Sequence, residues 1–439
     1  MVCEMGDPYR LFSWEHSYFS GKVRAYLRYK RFYDDLGAAG YQDILATPEL
    51  QDGLLEPATG TRAVPQVLAP DGTWLQDSSE IIDAIEAAHS KMPVVPGRER
   101  PRQRLASYLI ELLADEWMIV YAFWERWHYS LPGNEPNQLD FNAQQWGAFL
   151  RPRDPGPARR LAGEELFRSR MSLHAPEEAK VGPLSGLVDL GINANTQQSW
   201  EASYHRIMKV LDTHFGVHDF VLGGRPSLGD FALMGPLYAH LFRDAVPGYE
   251  MRLRYPLVAE WVERANGVNA LNARTYGQQI YTLGDNGELR GEVACSDDGE
   301  WLPDDAVPDT LHPLLDILFE EMWPCLESSM RALREFLGSA HHTAGAELPG
   351  KSFFATPGFE EFQRNGGPLT HTFRIGEVSA ERMVVPYHAW MLQRIEANTD
   401  PEARIGTHGR AGLAALVSGC RVRKRGGRIF EDADANGRA

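Results

Sequence analysis

Residues Tyr9 to Leu27, YRLFSWEHSYFSGKVRAYL, constrain the fold more than any other stretch of this chain. An apolar run (Leu11, Phe12, Trp14) is short enough for a buried strand. After the polar break Glu15-His16-Ser17 the pattern turns helical, with Val23, Tyr26 and Leu27 on one face. A strand that feeds a helix N-terminus leaves first-turn amides unpaired beside the positive end of the macrodipole, which favours an anion. The hydroxyls of Ser17 and Ser20 and the phenol of Tyr18 lie at that junction. Two readings stand side by side: Ser17 or Ser20 caps the helix, or the junction holds and polarises a small anion.

A second informative stretch runs from Thr61 to His89, TRAVPQVLAPDGTWLQDSSEIIDAIEAAH. Val64-Pro65 opens a short strand, Pro70-Asp71-Gly72 is a turn signal, and Trp74 and Leu75 begin a return strand. Asp77-Ser78 then precedes a helix with Ile81, Ile82 and Ile85 on its apolar face. Together the two stretches resemble the glutathione transferase family, whose N-terminal domain is thioredoxin-like. SYFSGKVR is similar to the family's serine-type active-site loop, Val64-Pro65 to its cis-proline corner, and LQDSSEI to its L-x-E-S-x-A-I segment.

From Pro101 the character changes to helical. PRQRLASYLIELLADEWMIVYAFWERWHY reads as one long helix, its inner face Leu105, Tyr108, Leu109, Leu112 and Leu113. Its second half is rich in aromatics, among them Trp117, Tyr121, Trp124 and Trp127. These side chains read either as ordinary core or, at Tyr121 and Trp124, as the wall of an apolar substrate pocket. Further on, Trp200, Tyr204, Ile207, Leu211 and Phe215 form a clean helix face. Ser227 with Asp230 is then a capping box in which Asp replaces the usual Glu. The segment GGRPSLGDF resembles the family's G-x-x-P-[ST]-x-[AG]-D-[FI] stretch, in which the serine and aspartate are structural.

The fold class expected is therefore α+β: a thioredoxin-like domain over residues 1–92, an all-helical domain over 98–284, and a mainly helical extension over 285–439. In the extension, Glu288 to Asp309 is polar and turn-rich. Leu315 to Leu337 carries an apolar stripe interrupted by Pro324, which should kink the helix. THTFRI alternates like a strand, and Pro386 to Ala397 reads as a helix with proline in its first turn. Arg421, Arg423, Lys424, Arg425 and Arg428 read as a solvated basic tail, or else as an anion-binding or self-docking basic patch.

Two decoys and several function classes can be set aside on the same grounds. Gly345 to Ser352 matches G-x-x-x-x-G-K-[ST], but no buried strand precedes it and Pro357-Gly358 follows soon after, so nucleotide binding is not expected. The His341-His342 pair lacks accompanying metal-ligand spacing and is expected at the surface, with no metal site. A net charge of −16 argues against a general nucleic-acid or anionic-membrane binder. No apolar run spans a membrane, no secretory leader is evident, and four scattered cysteines fit reduced thiols in a cytoplasm.

What the family resemblance implies is more specific. Ser17, with Tyr18 and Ser20 as alternates, would contact the sulfur of glutathione, the co-substrate. Val64, before the cis-proline Pro65, would pair its backbone with the cysteinyl part, and Asp77 and Ser78 would hold the γ-glutamyl end. The absence of cysteine from Ser17 to Ser20 argues against the thiol-dependent branch of the superfamily. The expected protein is a cytoplasmic homodimer that activates the glutathione thiol against a small apolar or aromatic electrophile. The competing reading is a non-catalytic member that uses the fold to bind a partner.

Overall fold

The apolar run at the start of the chain is a strand, β1 (Tyr9–Ser13), with Leu11 fully buried and Phe12 3% exposed. The helix that follows, α1 (Tyr18–Phe32), buries Val23, Tyr26 and Leu27, the face its periodicity specifies. It carries the chain to β2 (Tyr41–Leu45), which pairs with β1 in parallel; a parallel neighbour needs such a crossover. Strands β3 (Gln66–Leu68) and β4 (Trp74–Gln76) join as an antiparallel hairpin, giving a mixed sheet in the order β2-β1-β3-β4. Phe12, Ala46 and Leu55 form a small core on this sheet, with Trp74 tilted against Phe12 at 5.4 Å. Helix α2 (Ser78–Ala88) buries Ile81, Ile82 and Ile85, each such side chain contributing roughly 1.5–3 kcal/mol. This is the thioredoxin-like arrangement.

The computed structural model describes residues 7–32, 35–37, 39–131, 133–172, 189–266, 279–293, 300–348, 369–409 and 412–438. The chain divides into two units, residues 1–114 with 208–313, and residues 115–207 with 314–439. In the first unit, α3 (Pro101–Leu113) buries Leu105, Tyr108, Leu109, Leu112 and Leu113. Helices Leu228–Met234, Ala245–Arg254 and Pro256–Asn266 complete its helical part, with a π-helical stretch at Gly235–Phe242. The long aromatic helix read from Pro101 onward is not uniformly α-helical, because Ala114–Met118 is a π-helical turn. The polar stretch after residue 285 includes the return strand of a hairpin, Gln279–Leu283 with Leu289–Val293.

In the second unit, helices Leu139–Leu150 and Gly156–Ser172 pack closely through Gly147 and Gly163. A β-carbon on either glycine would run into the opposing backbone, at the carbonyls of Arg159 and Ala143. Of the stripe expected between Leu315 and Leu337, Leu315, Met322, Leu326, Met330, Leu333 and Leu337 are each 1% exposed or less, while Phe319 is only partly buried. Pro324 acts by widening the turn before it. Leu318–Met322 is π-helical and the Trp323 amide donates to the Leu318 carbonyl, so the backbone absorbs the donor that proline lacks. THTFRI is a strand, Thr370–Ile375, in a hairpin with Val378–Met383, and helix Tyr387–Asn398 follows Pro386.

Two sequence expectations fail in this unit. The basic residues near the C-terminus are not a solvated tail: they sit on and around a hairpin, Val422–Arg425 with Arg428–Glu431. Arg421 pairs with Glu396 at 2.7 Å, Arg423 with Asp432 at 2.6 Å, and Lys424 lies 4.3 Å over the Trp390 ring. Nor is His342 a surface histidine, since its imidazole meets the buried Glu431 carboxylate at 2.9 Å. Isolated in sequence these charges look solvated; the fold supplies partners up to 89 residues away. Of the phosphate-loop-like string, Pro349 to Ser352 lies outside the described residues.

Candidate functional site

The register of the sheet brings three chain segments to one end of it. Phe12 pairs with Gln66, Gln66 with Gln76, and Phe12 with Ile44, so one row crosses all four strands. From that row the chain leaves β1 toward Ser17, enters β3 from Val64-Pro65, and leaves β4 into Asp77-Ser78. Adjacent strands lie roughly 4.8 Å apart, so the exits of β1 and β4 are separated by about 10 Å along the row. Both α1 and α2 begin at this end, and their first-turn amides and positive dipole ends face it.

Ser17 immediately precedes α1. Its carbonyl accepts the first helical hydrogen bond, from the Gly21 amide at 3.1 Å, and its amide donates to the Trp14 carbonyl at 3.0 Å. Its side chain is half-buried, and among the described residues no group hydrogen-bonds its hydroxyl. The two alternates are committed elsewhere. The Tyr18 phenol is buried and donates to the Ala114 carbonyl at 2.5 Å. Its ring fits against Gly235, where a β-carbon would sit 2.6 Å from it. The buried Ser20 hydroxyl accepts from the Trp14 amide at 3.4 Å and closes the loop.

The Val64-Pro65 peptide bond is cis. Among the described residues, neither the amide nor the carbonyl of Val64 takes a protein partner. Asp77 stands at the N-cap of α2 with φ 75° and ψ 130°, a backbone conformation that L residues rarely adopt, and its carboxylate accepts from the Ser79 amide at 2.9 Å. Ser78 is 5% exposed, and its amide and hydroxyl make no hydrogen bond within the described chain. Ser17, Val64 and Ser78 therefore offer unsatisfied donors and acceptors at the same end of the sheet.

Below this surface lies a buried polar support that periodicity did not expose. Lys22 Nζ meets Glu111 Oε1 at 2.8 Å and the Ser79 hydroxyl at 3.2 Å, and Ser79 donates to Glu111 at 2.8 Å. It ties the starts of α1 and α2 to α3. The one signal in the sequence is Lys22 standing four residues before Tyr26 on the buried stripe of α1. The loop before Ser17 is pinned as well: Arg24 pairs with Asp43 at 2.5 Å and with Glu15 at 2.9 Å, and Tyr238 donates to Glu15. His16 and Asp244, both fully buried, approach to 3.6 Å.

Ser227 and Asp230 form the reciprocal capping box at helix Leu228–Met234, a structural role. Tyr121 and Trp124 lie in the second unit, 4% and 5% exposed; Tyr121 stacks on Trp124 at 5.4 Å and on Tyr204 at 4.4 Å. Among the described residues no cluster of three or more His, Cys, Asp or Glu could hold a metal ion, and no helix is long and apolar enough to cross a membrane.

Residues 11–93 match the family described as glutathione S-transferase, N-terminal domain, and residues 186–264 match glutathione S-transferase, C-terminal domain. Similar solved structures include a glutathione S-transferase from Methylobacterium radiotolerans in complex with glutathione sulfonate. It is 19% identical, with 63% of this chain and 98% of that one covered and a TM-score of 0.34. Another, from Methylobacillus flagellatus with glutathione bound, is 15% identical over 58% of this chain and 92% of its own, TM-score 0.31. Gtt2 from Saccharomyces cerevisiae is 15% identical over 58% and 94%, TM-score 0.34. No curated protein matches the chain. The N-terminal match spans the strand-to-helix junction, the cis-proline corner and the start of α2, and the C-terminal match the Ser227–Asp230 capping box: over these two segments the chain belongs to the glutathione transferase superfamily.

Proposed function

We propose that this protein is a glutathione transferase in which the Ser17 hydroxyl holds the glutathione sulfur as a thiolate. The observation that carries the reading is the half-buried Ser17 hydroxyl at the N-terminus of α1, without a partner among the described residues, at the sheet end where Val64 and Ser78 also have hydrogen bonds to make. A tripeptide spans about 10 Å when extended, which matches the separation of the β1 and β4 exits. The Val64 peptide would pair with the cysteinyl backbone. The amide and hydroxyl of Ser78 would take the γ-glutamyl carboxylate at the positive end of α2, and Asp77 its ammonium group.

The chemistry follows from thiol acidity. A free thiol has a pKa of about 8.5, and only the thiolate is a good nucleophile. Donation from Ser17 and the α1 dipole stabilise the anion, so the proton passes to solvent on binding. The sulfur lone pair then forms the new bond to the electrophilic carbon, and a leaving group departs with its electron pair or the electrons move into a conjugated acceptor. The electrophile in this reading is small and apolar or aromatic, and the protein works as a cytoplasmic homodimer.

Calorimetric titration with glutathione should give saturable binding to the wild type. Ser78→Ala should weaken it by roughly three- to tenfold, the loss of one hydrogen bond of about 0.5–1.5 kcal/mol. Absence of binding would exclude the proposal. Binding without a rise in ultraviolet thiolate absorbance would favour a non-catalytic binding protein.

A further inference from the structure

The hairpin Thr370–Ile375/Val378–Met383 presents three cross-strand pairs on its buried face: Ile375 opposite Val378, Phe373 opposite Ala380, and His371 opposite Arg382. The first two are apolar, as a face turned to the core requires. The third buries an arginine and a histidine, 2% and 6% exposed. The Arg382 guanidinium makes one long hydrogen bond, from Nη2 to the Glu116 carbonyl at 3.4 Å, and lies within reach of the Cys325 thiol, a weak and neutral acceptor, while Nε and Nη1 have no nitrogen or oxygen partner among the described residues.

Among the described residues no carboxylate forms an ion pair with the Arg382 guanidinium. The Glu116 carboxylate is taken by His388, Oε2 to Nε2 at 2.9 Å. Burial raises the Cys325 thiol above its usual range, an effect Arg382 only partly offsets, so it stays protonated. Burial, then the charges of Arg382 and His388, push His371 down to about 3, leaving a neutral imidazole at pH 7. Apart from an approach to the Thr372 backbone, neither ring nitrogen of His371 has a hydrogen-bond partner among the described residues. The Arg382 Cζ lies 5.6 Å from the centre of the Trp117 ring, whose indole N–H is also without a partner among the described residues. A buried ion without a counter-ion costs several kcal/mol, and unsatisfied donors beside it add to that.

We propose that Arg382, His371 and Trp117 form a binding site for a small monocarboxylate with an apolar body. One positive charge matches one carboxylate, whereas a dianion such as sulfate would leave excess charge buried. The carboxylate oxygens accept from the guanidinium, and the imidazole and indole N–H groups complete the shell. Trp117 and Trp200, with rings 4.5 Å apart, and Phe373, 6.0 Å from Trp200, provide apolar surface for the body. None of these residues belongs to the set assigned to glutathione.

The test uses the full chain with benzoate as probe, and acetate and sodium sulfate as comparisons. Benzoate should raise the melting temperature of the wild type by several degrees in a saturable way, sulfate at equal ionic strength much less. Arg382→Met should abolish the benzoate shift and, without ligand, should melt no lower than wild type, because a buried uncompensated charge has been replaced by a hydrophobe of similar length. A Met variant that melts lower while benzoate leaves the wild type unmoved would show Arg382 to be structural and overturn the proposal. Should that variant fail to fold, crystals of the wild type soaked in 4-bromobenzoate decide the matter. Bromine anomalous density with the carboxylate on Arg382 supports the site. Its absence there, ordered waters satisfying Nε and Nη1, or equal stabilisation by sulfate and benzoate would each overturn it.

Discussion

Asp230→Ala is expected to destabilise the first unit by about 3–5 kcal/mol, enough to lower its melting temperature by roughly 6–20 °C. The carboxylate is fully buried and collects four donors: the Val221 amide at 3.0 Å, the Ser227 amide at 2.8 Å, the Ser227 hydroxyl at 2.9 Å and the Trp261 indole at 3.2 Å. It thereby fastens the helix start, the loop before it and helix Pro256–Asn266 with one side chain. Truncation leaves those donors in a dry interior, where each unsatisfied group costs about 1–3 kcal/mol, although such costs do not simply add. Urea unfolding of wild type and variant at pH 7 measures the loss, and a difference below about 1 kcal/mol would contradict the network's role.

The pH dependence of that difference has a defined sign. Burial raises the Asp230 carboxyl from 3.8 to about 6, and its four hydrogen bonds pull the other way. The native state therefore keeps this proton to higher pH than the unfolded chain does. The protonated group's contribution is fully present below the unfolded pKa and is lost as pH rises through about 6. The stability gap between wild type and Asp230→Ala should accordingly widen on going from pH 7 to pH 5.

Much of the first unit was legible in the sequence because its signals are local. The break at Glu15-His16-Ser17, the helix start at Asp77 and the capping box at Ser227 each depend on residues within a few positions of one another, whereas the cis bond at Pro65 was implied only by the family resemblance. What escaped was set by distant partners. Lys22 and Glu111 are 89 residues apart, and each alone reads as a solvated surface charge. Arg421, Arg423 and His342 were misjudged for the same reason, since a charge run shows its counter-ions only after the chain has folded. Alternation along THTFRI puts His371 on the same strand face as Phe373 and Ile375, but the strand that brings Arg382 opposite it carried no comparable signal. At the sulfur position the family resemblance put Ser17 first, with Tyr18 and Ser20 as alternates. The hydrogen bonds of Tyr18 to Ala114 and of Ser20 with Trp14 are what separate them.

The proposal that Ser17 activates the glutathione thiol carries the largest functional effect. A hydrogen bond to a charged group is worth roughly 1.5–3 kcal/mol. About 1.4 kcal/mol corresponds to one pKa unit, so Ser17→Ala should raise the bound thiol's pKa by on the order of one to two units. Turnover near neutral pH should fall by about ten- to a hundredfold, because the thiolate fraction falls by that factor. Glutathione affinity should change far less, as Val64, Asp77 and Ser78 are untouched. Ser20→Ala should move the titration little, since its hydroxyl serves the Trp14 amide rather than the ligand.

The most direct test is the pH titration of the ultraviolet thiolate band of bound glutathione in wild type, Ser17→Ala and Tyr18→Phe. The account predicts a midpoint raised by one to two units in Ser17→Ala alone. A midpoint unchanged in Ser17→Ala but raised in Tyr18→Phe, or unchanged in both, would contradict it.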